Sequence, residues 1–327
     1  MKRVFYVAML LLWAGSLTAA IPEGYYSALE GKCSVALRNA AGATAKGHKR
    51  ITYSSGTWDA FEKTDVKLVN GKRAWWDMYS NNIVYLPGHN GLNIEHSVAQ
   101  SWWGGGHSND QGCDLFHLNP SESDANNRKA NYPLGEIAGS PSWTNGVTNV
   151  GNPVPGQGGG SSKVYEPADE YKGDFARAFM YVFTVYNNIS WASKCAWMYD
   201  TANTLLLKQW AIELLLRWSD NDPVDEKEYK RNEEVYKIQG NRNPFIDHPE
   251  LGHYIWGSKN ETPWYPSESG VETIESEQAV VVTGGEISAP ADSRVFNLCG
   301  KEVGMHPGKG IYIVVTPSGK SSKIVVK

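Results

Sequence analysis

Residues 93–97 read Asn-Ile-Glu-His-Ser, and this stretch decides how the chain is interpreted. It is followed by Asp-Leu-Phe-His-Leu-Asn-Pro at 114–120 and by Asn-Asn-Arg-Lys-Ala-Asn at 126–131, a separation that fits a hairpin and a turn. Successive side chains of an extended segment point to opposite faces, so Glu95 and His96 would serve different partners. A neutral imidazole can take a proton from water near pH 7, because its unperturbed pKa is about 6.5. The pattern therefore predicts one face that binds water and another that binds a metal ion.

These residue types suit the hydrolysis of a phosphodiester. The reaction needs an activated nucleophile, stabilisation of charge at the phosphate, and help for the leaving oxygen. A hard divalent cation held by oxygen ligands supplies the last two. The Glu95 carboxylate and the Asn126 side-chain carbonyl suit such a cation, and two protein oxygens leave positions for water and phosphate, as Mg²⁺ prefers. A Glu-His pair alone is usually structural, and it is the Asn126 segment that favours the metal site.

The amino terminus predicts export. Lys2 and Arg3 precede an apolar run over residues 4–13, and small residues follow, so residues 1–20 have the pattern of a secretory signal peptide. No later stretch approaches the roughly 20 apolar residues needed to span a membrane. We therefore expect a protein that is secreted or held at the cell surface, with a mature chain starting near Ile21.

Charge and cysteine content leave alternatives open. The net charge of −4 and the pI near 6.1 do not favour a polyanionic partner. Between residues 37 and 73, however, eight basic residues stand against three acidic ones, which is typical of either a solvated surface or a face that follows phosphates. The four cysteines form no CxxC pair, and both a disulfide and free buried thiols are compatible with their spacing. They are Cys33, Cys113, Cys195 and Cys299.

The order of hydrophobic patterns predicts an α+β chain in two parts. Apolar residues at helical spacing predict helices over 34–41, 57–62, 173–186, 203–218 and 225–239. Short strands are expected over 73–80 and 82–86, and a Gly- and Pro-rich loop follows Glu136. Residues 263–278 read as a linker, and 279–327 as a small antiparallel β domain with strands at 279–283, 294–298, 310–316 and 322–326.

The motifs resemble those of the bacterial endonuclease I family of secreted nucleases, a branch of the ββα-metal or His-Me finger nucleases. The resemblance covers about residues 21–257. The matching stretches are Ile-Pro-Glu-Gly-Tyr-Tyr at 21–26, Trp-Asp-Met-Tyr-Ser at 76–80, Glu-His-Ser at 95–97 with Ser-Trp-Trp at 101–103, 114–118 through 131–133, Glu-Pro at 166–167, Lys-Gly-Asp at 172–174, Ala-Arg at 176–177, and Gln-Gly-Asn-Arg-Asn-Pro-Phe-Ile-Asp-His-Pro at 239–249.

This resemblance implies a mainly helical nuclease domain over residues 21–262 with a ββα-metal active-site motif. It makes His96 the general base, Glu95 and Asn126 the ligands of Mg²⁺, with Ca²⁺ or Mn²⁺ as alternatives, and Arg177 a phosphate-facing residue on the long helix. Relatives cleave DNA, and often RNA, with little sequence preference and leave 5′-phosphate ends. The chain is therefore expected to act as a monomer on nucleic acid.

The carboxy-terminal domain resembles the sorting domain of the bacterial type IX secretion pathway. The resemblance is carried by Val-Phe-Asn-Leu-Cys-Gly at 295–300, Gly-Ile-Tyr-Ile-Val at 310–314 and Lys-Ile-Val-Val-Lys at 323–327. It implies that the type IX secretion machinery is a partner and that the domain directs the protein beyond the outer membrane.

The chain departs from the family pattern at three places. Ala99 stands where relatives usually have Pro, and Phe116 replaces a polar residue or His. No arginine occurs between Trp103 and Gly112, so Arg128 or Arg177 would have to balance transition-state charge. These departures keep two competing functions in view: a catalytically silent secreted nucleic-acid-binding or adhesive protein, and a phosphodiesterase of small esters.

Other polar and aromatic clusters have simpler interpretations. His107, Cys113 and His117 lack the CxxC or HxxxH spacing of a zinc site, and His117 is expected to be a structural hydrogen-bonding residue below the active site. Trp102 and Trp103 could stack on bases, but such pairs more often anchor a core.

Overall fold

The computed structural model describes residues 21–266, 281–283, 286–289, 291–297, 301–316 and 321–326. The expected signal peptide, residues 1–20, and most of the expected linker lie outside the described residues. The chain divides into two compact units, Met1–Tyr265 and Pro266–Lys327. Among the described residues, no helix has the length and apolar character of a membrane span.

The first unit is mainly helical. Its α-helices are α1 (Ser34–Ala45), α2 (Ser55–Thr64), α3 (Ser123–Lys129), α4 (Lys172–Val185), α5 (Gln209–Asn221), α6 (Glu226–Gln239), α7 (Pro244–Asp247) and α8 (Leu251–Ile255). Its strands form three small antiparallel sheets, made of β1 (Val66–Val69) with β2 (Lys72–Trp75), β3 (Leu92–His96) with β4 (Leu118–Glu122), and β5 (Trp143–Thr144), β6 (Thr148–Gly151) and β7 (Val164–Pro167). The α+β expectation is confirmed at this level.

Helix α4 lies at the centre of the first unit. Twelve of its fourteen residues are buried, because it is apolar on nearly every face and is covered by α1, α5 and α7. Gly42 allows α1 to approach closely, since a Cβ at that position would collide with the carbonyl oxygen of Thr184. Residues distant in sequence are thereby held around one core.

The β3–β4 hairpin and α3 position the polar motifs. The strands pair in antiparallel register, with Glu95 opposite Asn119 and His96 opposite Leu118. Helix α3 begins directly after β4, so Asn126 is carried back against the hairpin. The connection between the strands contains 3₁₀ turns at Gln100–Trp103 and Leu115–His117.

Several predicted elements differ at their boundaries. The helix predicted over 203–218 begins only at Gln209, because residues 203–208 form turns with Leu206 at a positive φ of 64°. The strand predicted over 73–80 ends at Trp75, and the Asp77 carboxylate accepts hydrogen bonds from the Tyr79 amide and the Ser80 hydroxyl. These local side-chain bonds favour a turn over an extended strand.

The described part of the second unit consists of β-strands. They are β8 (Val281–Thr283), β9 (Glu286–Ser288), β10 (Arg294–Asn297), β11 (Glu302–Val303), β12 (Gly310–Val315) and β13 (Ser321–Val326). Strands β11, β10, β12 and β13 form one antiparallel sheet in that order, and β8 pairs with β9. A small core includes Val295, Val314 and Ile324. The four predicted strands correspond to β8, β10, β12 and β13, whereas β9 and β11 were not predicted.

Candidate active site

One cavity brings together three of the four predicted site residues. Glu95 and His96 come from the end of β3, and Asn126 comes from α3. The cavity has a volume of about 350 Å³. Its remaining lining residues are Ile94, Ala99, Gln100, Ser101, Ala130 and Asn131. This lining contains no lysine or arginine, so a phosphate bound there would need positive charge from another source.

The His96 imidazole is buried and held at both nitrogens. Its Nε2 lies 3.0 Å from the carbonyl oxygen of Gly112, and its Nδ1 lies 2.9 Å from Nε2 of Gln100. A carbonyl oxygen only accepts hydrogen bonds, so Nε2 carries the proton and Nδ1 carries the lone pair of a neutral ring. Burial, followed by the electrostatic interaction with the nearby His117, holds the pKa of His96 well below its usual value. The ring is therefore neutral at pH 7 and can act as a base.

Gly112 is fixed in a tight turn. Its amide donates to Oδ1 of Asn109 over 2.8 Å, and a Cβ at this position would lie within 2.6 Å of that oxygen and of the Gly106 carbonyl oxygen. Only glycine fits this close approach without a shift of backbone. The carbonyl group that sets the His96 tautomer is thus held by the local chain.

Glu95 lines the same cavity and forms a buried ion pair. Its Oε1 lies 2.7 Å from Nζ of Lys129, the last residue of α3. Lys129 has no exposed surface and also donates to the backbone carbonyl oxygen of His96 over 3.2 Å. Burial raises the pKa of Glu95, and the Lys129 charge opposes that rise. Lys129 therefore favours the ionised carboxylate that a cation would need.

Asn126 completes the polar wall of the cavity. It lies three residues before Lys129 on α3, so both side chains lie on one side of the helix, facing the hairpin. An amide oxygen and a carboxylate are hard donors that suit Mg²⁺ or Ca²⁺. Among the described residues, no three His, Cys, Asp or Glu side chains cluster as a metal site. The donor set thus fits a cation that keeps several water ligands.

Comparison with known proteins decides the family. The family model described as Endonuclease I matches residues 34–250. The chain belongs to the endonuclease I family. It is therefore a nuclease, a hydrolase of phosphodiester bonds that acts on nucleic acid.

Two relatives of this endonuclease I family member are named extracellular ribonuclease. The protein from Bacillus amyloliquefaciens is 32% identical over 253 residues, which cover 73% of this chain and 80% of the relative. The protein from Bacillus subtilis is 31% identical over 262 residues, which cover 76% of this chain and 84% of the relative.

The fourth predicted site residue of this endonuclease I family member, Arg177, is placed differently from expectation. The side chain has no exposed surface, and its Nε and Nη2 donate to the Glu228 carboxylate over 2.7 and 2.5 Å. Its Nη1 donates to the Asp222 carbonyl oxygen over 2.8 Å. Every guanidinium nitrogen is bonded inside the protein, so Arg177 joins α4 to α6, and no face of the guanidinium is exposed for the expected phosphate contact.

A buried polar layer lies beneath the cavity. Asp114 accepts hydrogen bonds from the hydroxyls of Tyr181 and Tyr186 over 2.7 and 2.6 Å. His117 lies with its ring centroid 5.3 Å from that of His96, and its Nε2 donates to the Gln111 carbonyl oxygen over 2.7 Å. Burial lowers the pKa of His117 to about 4. This layer matches the structural role expected for His117.

The aromatic pair and Cys195 contribute to the core. Trp102 is fully buried, its indole donates to the Asn131 carbonyl oxygen over 3.0 Å, and Trp103 is 7% exposed. Neither side chain offers a face to a base. Cys33, Cys113 and Cys195 are free thiols, whereas Cys299 lies outside the described residues.

Sequence reasoning missed two residues of the site. Lys129 could have been found from its spacing, because it follows Asn126 by three positions on a helix. Gln100 lies four residues after His96, but it begins a 3₁₀ turn beyond the end of β3, so no strand or helix spacing links the two. Only the folded chain places its amide on the imidazole.

Proposed function

We propose that this chain is an exported, metal-dependent endonuclease that hydrolyses DNA and RNA with little sequence preference. The observation that carries the proposal is the His96 imidazole, which has its proton on Nε2 and lines the same cavity as Glu95 and Asn126. A general base and two hard oxygen donors are the groups that hydrolysis of a phosphodiester requires. The names of the two relatives support RNA as a substrate.

His96 is the general base in this proposal. Its Nδ1 accepts a proton from the water that attacks phosphorus, and the ring becomes an imidazolium. The carbonyl oxygen of Gly112 holds the proton on Nε2 throughout and stabilises the positive ring. The depressed pKa of His96 keeps the lone pair available at neutral pH and below.

Glu95 and Asn126 are the ligands of the cation, with Mg²⁺ expected and Ca²⁺ or Mn²⁺ as alternatives. When bound, the cation would supply the positive charge that the cavity lining lacks, beside the phosphate and the leaving oxygen. Lys129 lowers the pKa of Glu95 against the effect of burial and fixes one carboxylate oxygen. The β3–β4 hairpin and α3 would then form a ββα-metal motif.

Export and sorting belong to the same proposal. Residues 1–20 would be removed as a signal peptide. The β-strands between Val281 and Val326 would form a type IX sorting domain, which would direct the nuclease outside the cell or to its surface. The nuclease would act there as a monomer. The relatives named extracellular support this location.

The test is digestion of plasmid DNA and of a long RNA by the mature protein. Cleavage is expected with Mg²⁺, and no cleavage is expected in EDTA. The activity should recover when Mg²⁺, Ca²⁺ or Mn²⁺ is added in excess over EDTA. Binding to the same polymers without cleavage under any of these metals would replace the proposal by a silent binder. Faster hydrolysis of a chromogenic phosphodiester than of either polymer would instead assign a phosphodiesterase of small esters.

A further inference from the structure

The Gln100 side chain is hydrogen-bonded to the nitrogen of His96 that the proposed reaction needs. The His96 proton is on Nε2, which donates to Gly112, so Nδ1 is the only basic nitrogen of the ring. Nε2 of Gln100 lies 2.9 Å from that nitrogen. A nitrogen lone pair that already accepts a hydrogen bond from an amide cannot also accept a proton from water.

The Gln100 amide is itself held from a second side. Its Nε2 lies 3.2 Å from Nδ1 of His107, so its two hydrogens are directed to two imidazoles. The His107 ring in turn stacks on Tyr53 with centroids 3.7 Å apart. Contacts with two imidazoles therefore hold the amide on His96 in the absence of substrate.

The orientation of His96 does not depend on Gln100. Nε2 is held by the Gly112 carbonyl oxygen, and the ring is enclosed by Tyr53, Trp103 and His117, with centroids 5.8, 5.7 and 5.3 Å away. The imidazole is 3% exposed. Loss of the Gln100 amide would leave this enclosure in place and free the lone pair.

Gln100 has space into which its amide can move. The residue is half-buried and lines the cavity of about 350 Å³ that Glu95 and Asn126 share. Its side chain has three rotatable bonds, and exposed His107 is its partner on the solvent side. Rotation of the side chain alone would uncover Nδ1.

We propose that Gln100 caps the His96 base and that a bound nucleic-acid strand displaces it. The inference rests on the proposed function of His96. Because substrate binding breaks the Gln100–His96 hydrogen bond, the free energy of that bond weakens substrate binding and does not change the barrier of the chemical step. One net hydrogen bond corresponds to about a two- to tenfold change in an equilibrium, so removal of the cap lowers KM by that factor and leaves kcat unchanged.

The experiment compares Gln100→Met with the unmutated mature protein. Methionine preserves length and volume but removes the donor. Gln100→Ala is the second variant, in case the thioether fills the cavity, and Gln209→Met, an exposed position on α5, is the matched control. KM and kcat are measured on one oligonucleotide with saturating Mg²⁺.

A second readout is independent of catalysis. The ¹⁵N NMR signal of His96 Nδ1, identified by its absence in His96→Ala, is recorded without substrate or metal. Loss of the hydrogen bond moves this signal downfield in both Gln100 variants and not in Gln209→Met. If the unmutated protein does not cleave nucleic acid, the proposed function fails, but the signal still decides whether Gln100 caps the ring.

The expected result is a downfield shift together with a lower KM and an unchanged kcat. A downfield shift with a lower kcat or a higher KM would overturn the proposal, because Gln100 would then assist the reaction and not restrain it. An unchanged NMR signal would overturn it as well, because the amide would not be bonded to Nδ1.

Discussion

The ammonium group of Lys129 lies 2.7 Å from Oε1 of Glu95, and both side chains are buried. The pair joins the end of α3 to β3, next to the peptide bond of His96. Burial raises the pKa of the Glu95 carboxyl group, and the Lys129 charge opposes that rise. Lys129 thus connects the fold of the hairpin to the charge state of a proposed metal ligand.

Breaking this pair should destabilise the first unit. Lys129→Met is expected to lower the free energy of unfolding by about 3–5 kcal/mol, the range for a buried charge that loses its partner. The double variant Glu95→Gln with Lys129→Met should recover most of the loss, because no unpaired charge remains. Denaturant unfolding of the unmutated protein, of Lys129→Met and Glu95→Gln singly, and of the double variant measures this coupling. Strictly additive losses of unfolding free energy would show that the pair is not coupled.

Removal of either proposed ligand should weaken the response to metal. Glu95→Gln and Asn126→Ala are expected to raise the Mg²⁺ concentration for half-maximal cleavage by about tenfold or more, since even loss of a residue behind a metal ligand costs about 10- to 100-fold in affinity. The adjacent exposed residue gives the control, Asn127→Ala. Equal Mg²⁺ responses in all three variants would remove Glu95 and Asn126 from the metal site.

Arg177 should affect stability and not substrate binding. Its guanidinium is enclosed with the Glu228 carboxylate, so Arg177→Met is expected to cost about 3–5 kcal/mol of unfolding free energy. Arg217→Met, at an exposed arginine of α5, should cost less than about 1 kcal/mol. At a temperature where both variants are folded, their KM values should match that of the unmutated protein. A large rise in KM for Arg177→Met at unchanged stability would restore the phosphate contact.

The buried His117 makes stability depend on pH. Its folded-state pKa of about 4 lies below the unfolded value near 6.5, so only the unfolded chain binds this proton between those limits. The free energy of unfolding therefore falls as the pH drops from about 6.5 to 4, by about 3 kcal/mol from this residue.

Tryptophan fluorescence can follow this transition, because all tryptophans of the mature chain precede residue 265. His117→Gln should remove this part of the pH dependence, while other groups keep theirs. The same slope of stability against pH in both proteins would contradict the prediction.

The sequence predicted those parts of the fold in which a single pattern dominates. Helix α4 is apolar at nearly every position and α6 has an Asp225 cap that accepts from the Glu228 amide, so both lie within one residue of their predicted bounds. The start of α5 was wrong, because Leu205, Leu206 and Leu207 continue the apolar pattern while the backbone turns at Leu206. The spacing of hydrophobic residues does not indicate whether one of them has a positive φ.

The candidate site also contains residues that could be predicted from the sequence and residues that could not. Short motifs predicted that Glu95, His96 and Asn126 lie together, and the structure places all three in one cavity, while their chemical roles stay predictions. Arg177 could not be judged from sequence, since its environment depends on Glu228, which lies 51 positions later in the chain. The same holds for Gly112, whose backbone oxygen sets the tautomer of His96 across a loop of sixteen positions.

The most direct test of the central claim is single-turnover cleavage of a defined oligonucleotide by the mature protein and by His96→Ala, both with saturating Mg²⁺. His89→Ala, at an exposed histidine outside the cavity, is the control. With His96 as the general base, His96→Ala should cleave about 10² to 10⁴ times more slowly than the unmutated protein, while it stays folded at the assay temperature and its Mg²⁺ dependence stays the same. Cleavage by His96→Ala at the unmutated rate would contradict the account, even if the protein is a metal-dependent nuclease.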